Sequence, residues 1–108
     1  MACWMSTVDP KVRDIVEAHG QAVVDGDMPR ALQDFTEAGA NHPNTAPTVA
    51  RLPNPVTSAT VERLDQQLDG GLIVHVRYGG DEGSTTVRSV WEQVGDRPYI
   101  TSISVAGE

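Results

Sequence analysis

The sequence predicts an α+β fold in which N-terminal helices pack on a mainly antiparallel sheet. Three observations carry that expectation. Apolar residues recur at three- and four-residue steps up to Phe35, then at two-residue steps from Thr57 onward. Glycine-containing turn signals punctuate the second half at Asp69–Gly70–Gly71, Gly79–Gly83 and Gly95–Asp96. A length of 108 residues suits one domain with one core, so residues 1–108 are read as a single unit.

The first helix should start at Asp9–Pro10, with aspartate as N-cap and proline in the first turn. Val12, Ile15, Val16, His19 and Val23 form its apolar stripe, and Gly26 stops it near residue 25. Asp27 then caps a second helix over 28–37, with Pro29 in its first turn and Met28, Ala31, Leu32 and Phe35 on its apolar face. "VVDGDMPRALQDF" is therefore a helical corner. A third short helix is expected between Pro47 and Pro53, carrying Val49 and Leu52 inward.

Four strands should follow. The first, Ser58 to Leu68, alternates imperfectly and calls for a bulge or an edge position. Leu72 to Tyr78 alternates cleanly, Ser84 to Val94 returns, and Tyr99 to Val105 closes a meander. The spacing pairs Tyr78 with Thr85, Val76 with Val87, Val74 with Ser89 and Leu72 with Trp91 on the inner face. Tyr99, Thr101, Ile103 and Val105 are expected to join them. His75, Arg77, Arg88, Glu92, Ile73, Val90 and Ile100 then fall on the outer face, and a one-residue slip would exchange the two sets.

Composition narrows the partners. Fifteen acidic against eight basic residues give a formal charge of −7, and the basic residues are scattered singly. Such a surface disfavours phosphate backbones and anionic membranes, so neither nucleic acid nor membrane is expected as a partner. The N-terminal "MACWMSTVD" lacks the charge and the apolar run of a signal peptide, and no stretch approaches a membrane span. Cys3 is the single cysteine, so no internal disulfide or thiolate metal cage can form; a reduced, cytoplasmic setting is expected.

With these elements in place the chain resembles the nuclear transport factor 2-like superfamily, often called SnoaL-like. The resemblance rests on the long first helix, the "DGDMPRALQDF" corner and the terminal meander "GLIVHVRYGG … TTVRSVWEQVGDRPYITSISV", roughly residues 8 to 106. It implies a cone, of the kind also called cystatin-like, in which a curved sheet wraps the first helix. The open end of such a cone is commonly a small-molecule pocket, and relatives commonly pair through the outer sheet face. Here that pairing would use Ile73, Val90 and Ile100 to make a homodimer. The resemblance is one of layout. Isomerase-like members share a tyrosine on the first helix and two pocket carboxylates, whereas this first helix has no tyrosine and the inward strand positions have no Asp or Glu. The Asp–Arg–Asp arrangement of epoxide hydrolase-like members has no counterpart on the inward face either.

The ligand-binding candidates are His19, Tyr78 and Trp91. His19 interrupts an otherwise apolar stripe, where an imidazole can act as acid, base or hydrogen-bonding group; the plain alternative is a core histidine bonded to a backbone carbonyl or water. No partner carboxylate for it is identifiable from the spacing. Tyr78 and Trp91 share the inner face, where their polar tips could orient a ligand or their rings simply fill the core. His19, His42 and His75 show no metal-ligand spacing, "GGDEG" lacks the helix and lysine of a phosphate cradle, and no cofactor is expected. The expected function is a small ligand-binding, dimerising domain. The alternative is a cofactor-independent isomerase, cyclase or dehydratase acting on a small hydrophobic substrate, and a third possibility is an interaction module with a filled cone. An open cavity touching His19 would favour the enzyme.

Overall fold

A computed structural model describes residues 10–67 and 71–106. Four helices precede four strands: α1 Pro10–Val24, α2 Met28–Leu32, α3 Glu37–Ala40, α4 Thr45–Ala50, then β1 Ser58–Gln66, β2 Leu72–Gly80, β3 Gly83–Val94 and β4 Arg97–Val105. The strands form one open antiparallel sheet in the order β1-β2-β3-β4. The α+β class and the helices-then-meander layout are as the sequence predicts. The expected Asp9 cap, Cys3, the expected strand end at Leu68 and the Asp69–Gly70 part of the first glycine turn lie outside the described residues.

The α1–α2 corner forms for the reasons its residues suggest. Gly26 adopts a φ of 72°, a conformation cheap only for glycine. The Gly26 amide donates to the Val23 carbonyl at 3.1 Å and the Asp27 amide to the Ala22 carbonyl at 2.9 Å, the paired bonds of a Schellman motif. Asp27 then accepts from the Arg30 amide as N-cap of α2, with Pro29 in the first turn. The chain reverses within three residues.

Beyond the corner the expected helix over 28–37 stops at Leu32, and a separate short helix starts at Glu37. α2 ends at Leu32, Phe35 makes a parallel bridge to Ile100, and Thr36 caps α3 by accepting from the Gly39 amide. The reason is tertiary. The Ile100 amide donates to the Asp34 carbonyl at 2.7 Å, and the Thr36 amide donates to the Ile100 carbonyl at 2.9 Å. These bonds to an edge strand replace those that a continuous helix would have made, and they cover part of β4's open edge. α4 begins at Thr45, two residues earlier than Pro47, and buries Thr45 and Thr48. Val49 is exposed, contrary to its expected inward position, while Leu52 packs partly buried against the core. The buried threonines are tolerated because the Thr45 hydroxyl donates to the Gly39 carbonyl and that of Thr48 to the Asn44 carbonyl.

The β2–β3 register matches the sequence expectation pair for pair, from Leu72 opposite Trp91 to Tyr78 opposite Thr85. β1 carries the expected bulge, between Val61 and Arg63. A second irregularity, between Val90 and Trp91 in their pairing with β4, was not visible in the sequence. Ser102 faces Val90 but Ile100 faces Trp91, so Thr101 is the extra residue. The consequence is a side-chain inversion below the bulge. Ile100, expected on the outer face, is fully buried in the core beside Trp91, and Tyr99 and Thr101 leave the inner set. Only Ile73 and Val90 remain of the aliphatic trio expected to pair two copies.

The core lies between α1 and the inner sheet face, built from Val16, Leu72, Val74, Val76, Trp91 and Ile100 with neighbours around them. Val12, Ile15 and Val23 complete the α1 stripe against it. α3 reaches β4 through Gly39, where an added Cβ would run into the Ile100 carbonyl and the Thr101 Cα. Gly39→Ala should therefore force α3 away from β4 and cost about 2 kcal/mol, as overpacking against backbone does. Urea unfolding followed by circular dichroism measures it; an unchanged midpoint would refute the close contact.

Candidate functional site

His19 reaches the inner side of α1 because it lies on the same stripe as Val16 and Val23. Its Nδ1 is 3.0 Å from Oδ2 of Asp34, a residue in the turn after α2 whose side chain is completely buried. A partner carboxylate therefore exists, although the spacing of the two residues gave no sign of it. Asp34 Oδ2 also accepts from Arg30 Nη1 at 3.0 Å, and Oδ1 accepts from Arg97 Nη2 at 2.8 Å. Three charge-assisted bonds thus converge on one carboxylate from α1, α2 and β4. The Arg97 guanidinium lies 4.2 Å from the Tyr99 ring centroid, and its Nε donates to the Pro98 carbonyl.

Burial alone would push the Asp34 carboxyl up. The hydrogen bonds from His19 and Arg97, with the nearby charge of Arg30, outweigh it and hold the group below its ordinary value of 3.8. Asp34 is thus an anion in the folded protein. Since an ionised carboxylate only accepts, the His19 Nδ1 carries the proton of that bond, which leaves Nε2 as the ring's free nitrogen. Phe35 and Trp91 meet the imidazole edge-on, with centroids 5.9 Å and 5.8 Å away, and fix its plane.

The imidazole lines an apolar cavity of about 50 Å³ between α1, α2, α4 and the sheet. Tyr78 and Trp91 line it as well, so all three candidates are brought together. Their polar tips differ. The Trp91 indole N–H donates to the Ser89 hydroxyl at 2.9 Å and is spent within the wall. The Tyr78 phenol is pushed well above its ordinary range by burial, so it is neutral and able to donate. The Thr45, Thr48 and Ser89 hydroxyls have protein partners. His42 stands apart in the loop before α4, where its Nδ1 accepts from the Asn44 amide. His75 sits on β2 opposite Arg88, on the outer face as expected. Among the described residues no group of three or more His, Cys, Asp or Glu side chains could hold a metal ion.

The residues that sequence reasoning missed are Asp34, Arg30 and Arg97. A partial signal existed: Asp34 stands three residues after Ala31, on the buried side of the corner, with Arg30 four residues before it. Arg97 lies 63 residues away, and nothing local points to it. Comparison of the chain with family models, with curated proteins and with solved structures found no match.

Asp34→Asn should cost about 3 kcal/mol, because the arginines and His19 lose a buried anion. The lowered carboxyl also sets a sign. The unfolded chain binds the Asp34 proton more readily than the folded chain does, so this stabilisation is fully present above pH 3.8. It is lost as the pH falls through the lower native value. Denaturant midpoints measured from pH 5 down to about pH 2 should fall more steeply for the wild type than for Asp34→Asn. Parallel curves would refute the assignment.

Proposed function

We propose that the protein binds a small, mainly apolar molecule in this cavity and contacts it through His19 Nε2. The observation that carries the reading is the combination of an apolar wall with one ring nitrogen left free because Asp34 holds the other. Few polar groups in an apolar enclosure is the usual build of a small-molecule site. A ligand hydroxyl suits the position, since it can accept from the ring or donate to it. The element order agrees with the nuclear transport factor 2-like resemblance, and we take the cavity as the narrow interior of the cone that the resemblance implies. A cytoplasmic setting belongs to the same reading, on the single cysteine. Among the described residues no helix is long and apolar enough to cross a membrane. Pairing through the outer sheet face rests on Ile73 and Val90 alone, so the pocket carries the proposal and the dimer does not.

The second reading is catalytic; the cavity that His19 lines is the feature expected to favour an enzyme, and the His19–Asp34 pair favours it as well. An imidazole held by a buried carboxylate beside an apolar site is placed to take a proton from carbon next to a carbonyl; an isomerase returns it to another carbon, and a dehydratase passes it to the departing hydroxyl, which leaves as water. Asp34 would orient the ring and stabilise its charged form during transfer.

Butan-1-ol titrated into the wild type should raise the melting temperature and shift the His19 ring resonances. His19→Gln retains a donor for Asp34 and should bind the alcohol about tenfold more weakly, the worth of about one hydrogen bond. Equal binding by both proteins, or none by the wild type, would overturn the pocket role. The catalytic reading is read out by deuterium entering butan-2-one beside its carbonyl in D2O. Exchange above the buffer rate that disappears in His19→Gln supports it, and exchange at the buffer rate removes it.

A further inference from the structure

The cavity at His19 is short. Its volume of about 50 Å³ holds on the order of four waters, so a larger molecule must project from it. The direction of projection is marked on the surface. Met28, Leu32 and Val49 are 37%, 46% and 37% exposed, and all three line the cavity. Beside them runs an open groove of about 520 Å³ between the end of α1, the end of α4 and the segment 53–56. Val23, Met28, Val49 and Leu52 line both spaces, so groove and cavity adjoin across these four side chains.

The lining of the groove defines its occupant. Val24, Val56, Ala50 and the prolines make it mostly apolar, and Asp25 is the one charged residue on its walls. An anionic chain would meet that carboxylate and a protein of net charge −7. A peptide would bring a backbone amide and carbonyl per residue, and Asn54 and Asp25 are the only polar side chains in the lining to meet them. We propose that the site takes an uncharged, straight-chain aliphatic alcohol or a molecule of that class. Its hydroxyl end sits at His19 and its alkyl chain leaves past Met28 and Val49 to lie in the groove. The inference rests on the cavity reading above and adds the ligand's length, shape and charge.

The test is a series of primary alcohols from butan-1-ol to decan-1-ol, measured by calorimetry or by competition on the native chain. Affinity should rise about fourfold per methylene beyond the length that fills the cavity, the value for burying one methylene. Ala50 is exposed and lines the groove but not the cavity. Ala50→Glu should flatten the rise for the long alcohols while leaving butan-1-ol binding as it was, and Ala50→Leu should steepen it. Decanoate should bind at least tenfold more weakly than decan-1-ol. If affinity stops growing at butan-1-ol while His19→Gln still weakens it, the groove proposal falls and the pocket stands. If no alcohol binds, both fall. A concentration-dependent dimer dissolved by Ala50→Glu would assign the groove to a second copy and overturn the proposal.

Discussion

The carboxylate of Asp34 is the point on which the rest of the structure depends. It is wholly buried, and it accepts from His19 on α1, from Arg30 on α2 and from Arg97 at the start of β4. Its own backbone carbonyl accepts from Ile100. One residue therefore joins the first helix, the corner and the last strand. Taking a carboxylate out of water costs several kcal/mol, so such a cluster adds little net stability compared with a well-packed apolar substitute. What it adds is definition. Arg30 and Arg97 are only partly covered and could turn to water, but Asp34 could not, so its satisfaction depends on these three elements meeting as they do.

That arrangement shapes the cavity. The bonds between residues 34–36 and Ile100 hold the α2–α3 junction against the edge of β4, where an uncovered strand would otherwise present free backbone groups. The bulge at Thr101 turns Ile100 inward to fill the space beside Trp91. Phe35 and Trp91 then stand at the edges of the His19 ring. A polar clasp and an apolar packing layer meet on one imidazole, which explains why its orientation is fixed on both sides. The cavity that the ring lines is also lined by Met28, Leu32 and Val49.

Chemically, the site is sparing. Its hydroxyls and its indole N–H are spent on the protein, the Tyr78 phenol is neutral, and the carboxylate is sealed away from the space it influences. On the proposed reading a ligand would meet mostly carbon, the oriented His19 ring and the Tyr78 phenol. Binding and proton transfer ask for the same geometry at this position, which is why the two readings share His19 and differ only in what the ligand carries there.

Much of the architecture was written locally. Pro10, the Gly26–Asp27–Pro29 corner and the change of period after Thr57 determined the helix-then-sheet order. The clean alternation of Leu72 to Tyr78 determined the β2–β3 register residue by residue. Such features follow from backbone preference and from which face must be buried, and neighbours in sequence are enough to specify both. The early end of the second helix, the inward turn of Ile100 and the Asp34–Arg97 pair were decided only by the folded chain. The first and the last join groups more than sixty residues apart, and the second follows from a bulge between adjacent strands, so no local pattern records any of them. His19 shows the division most clearly: its place on an apolar stripe was legible, but the carboxylate that makes it a candidate for chemistry was supplied by tertiary packing.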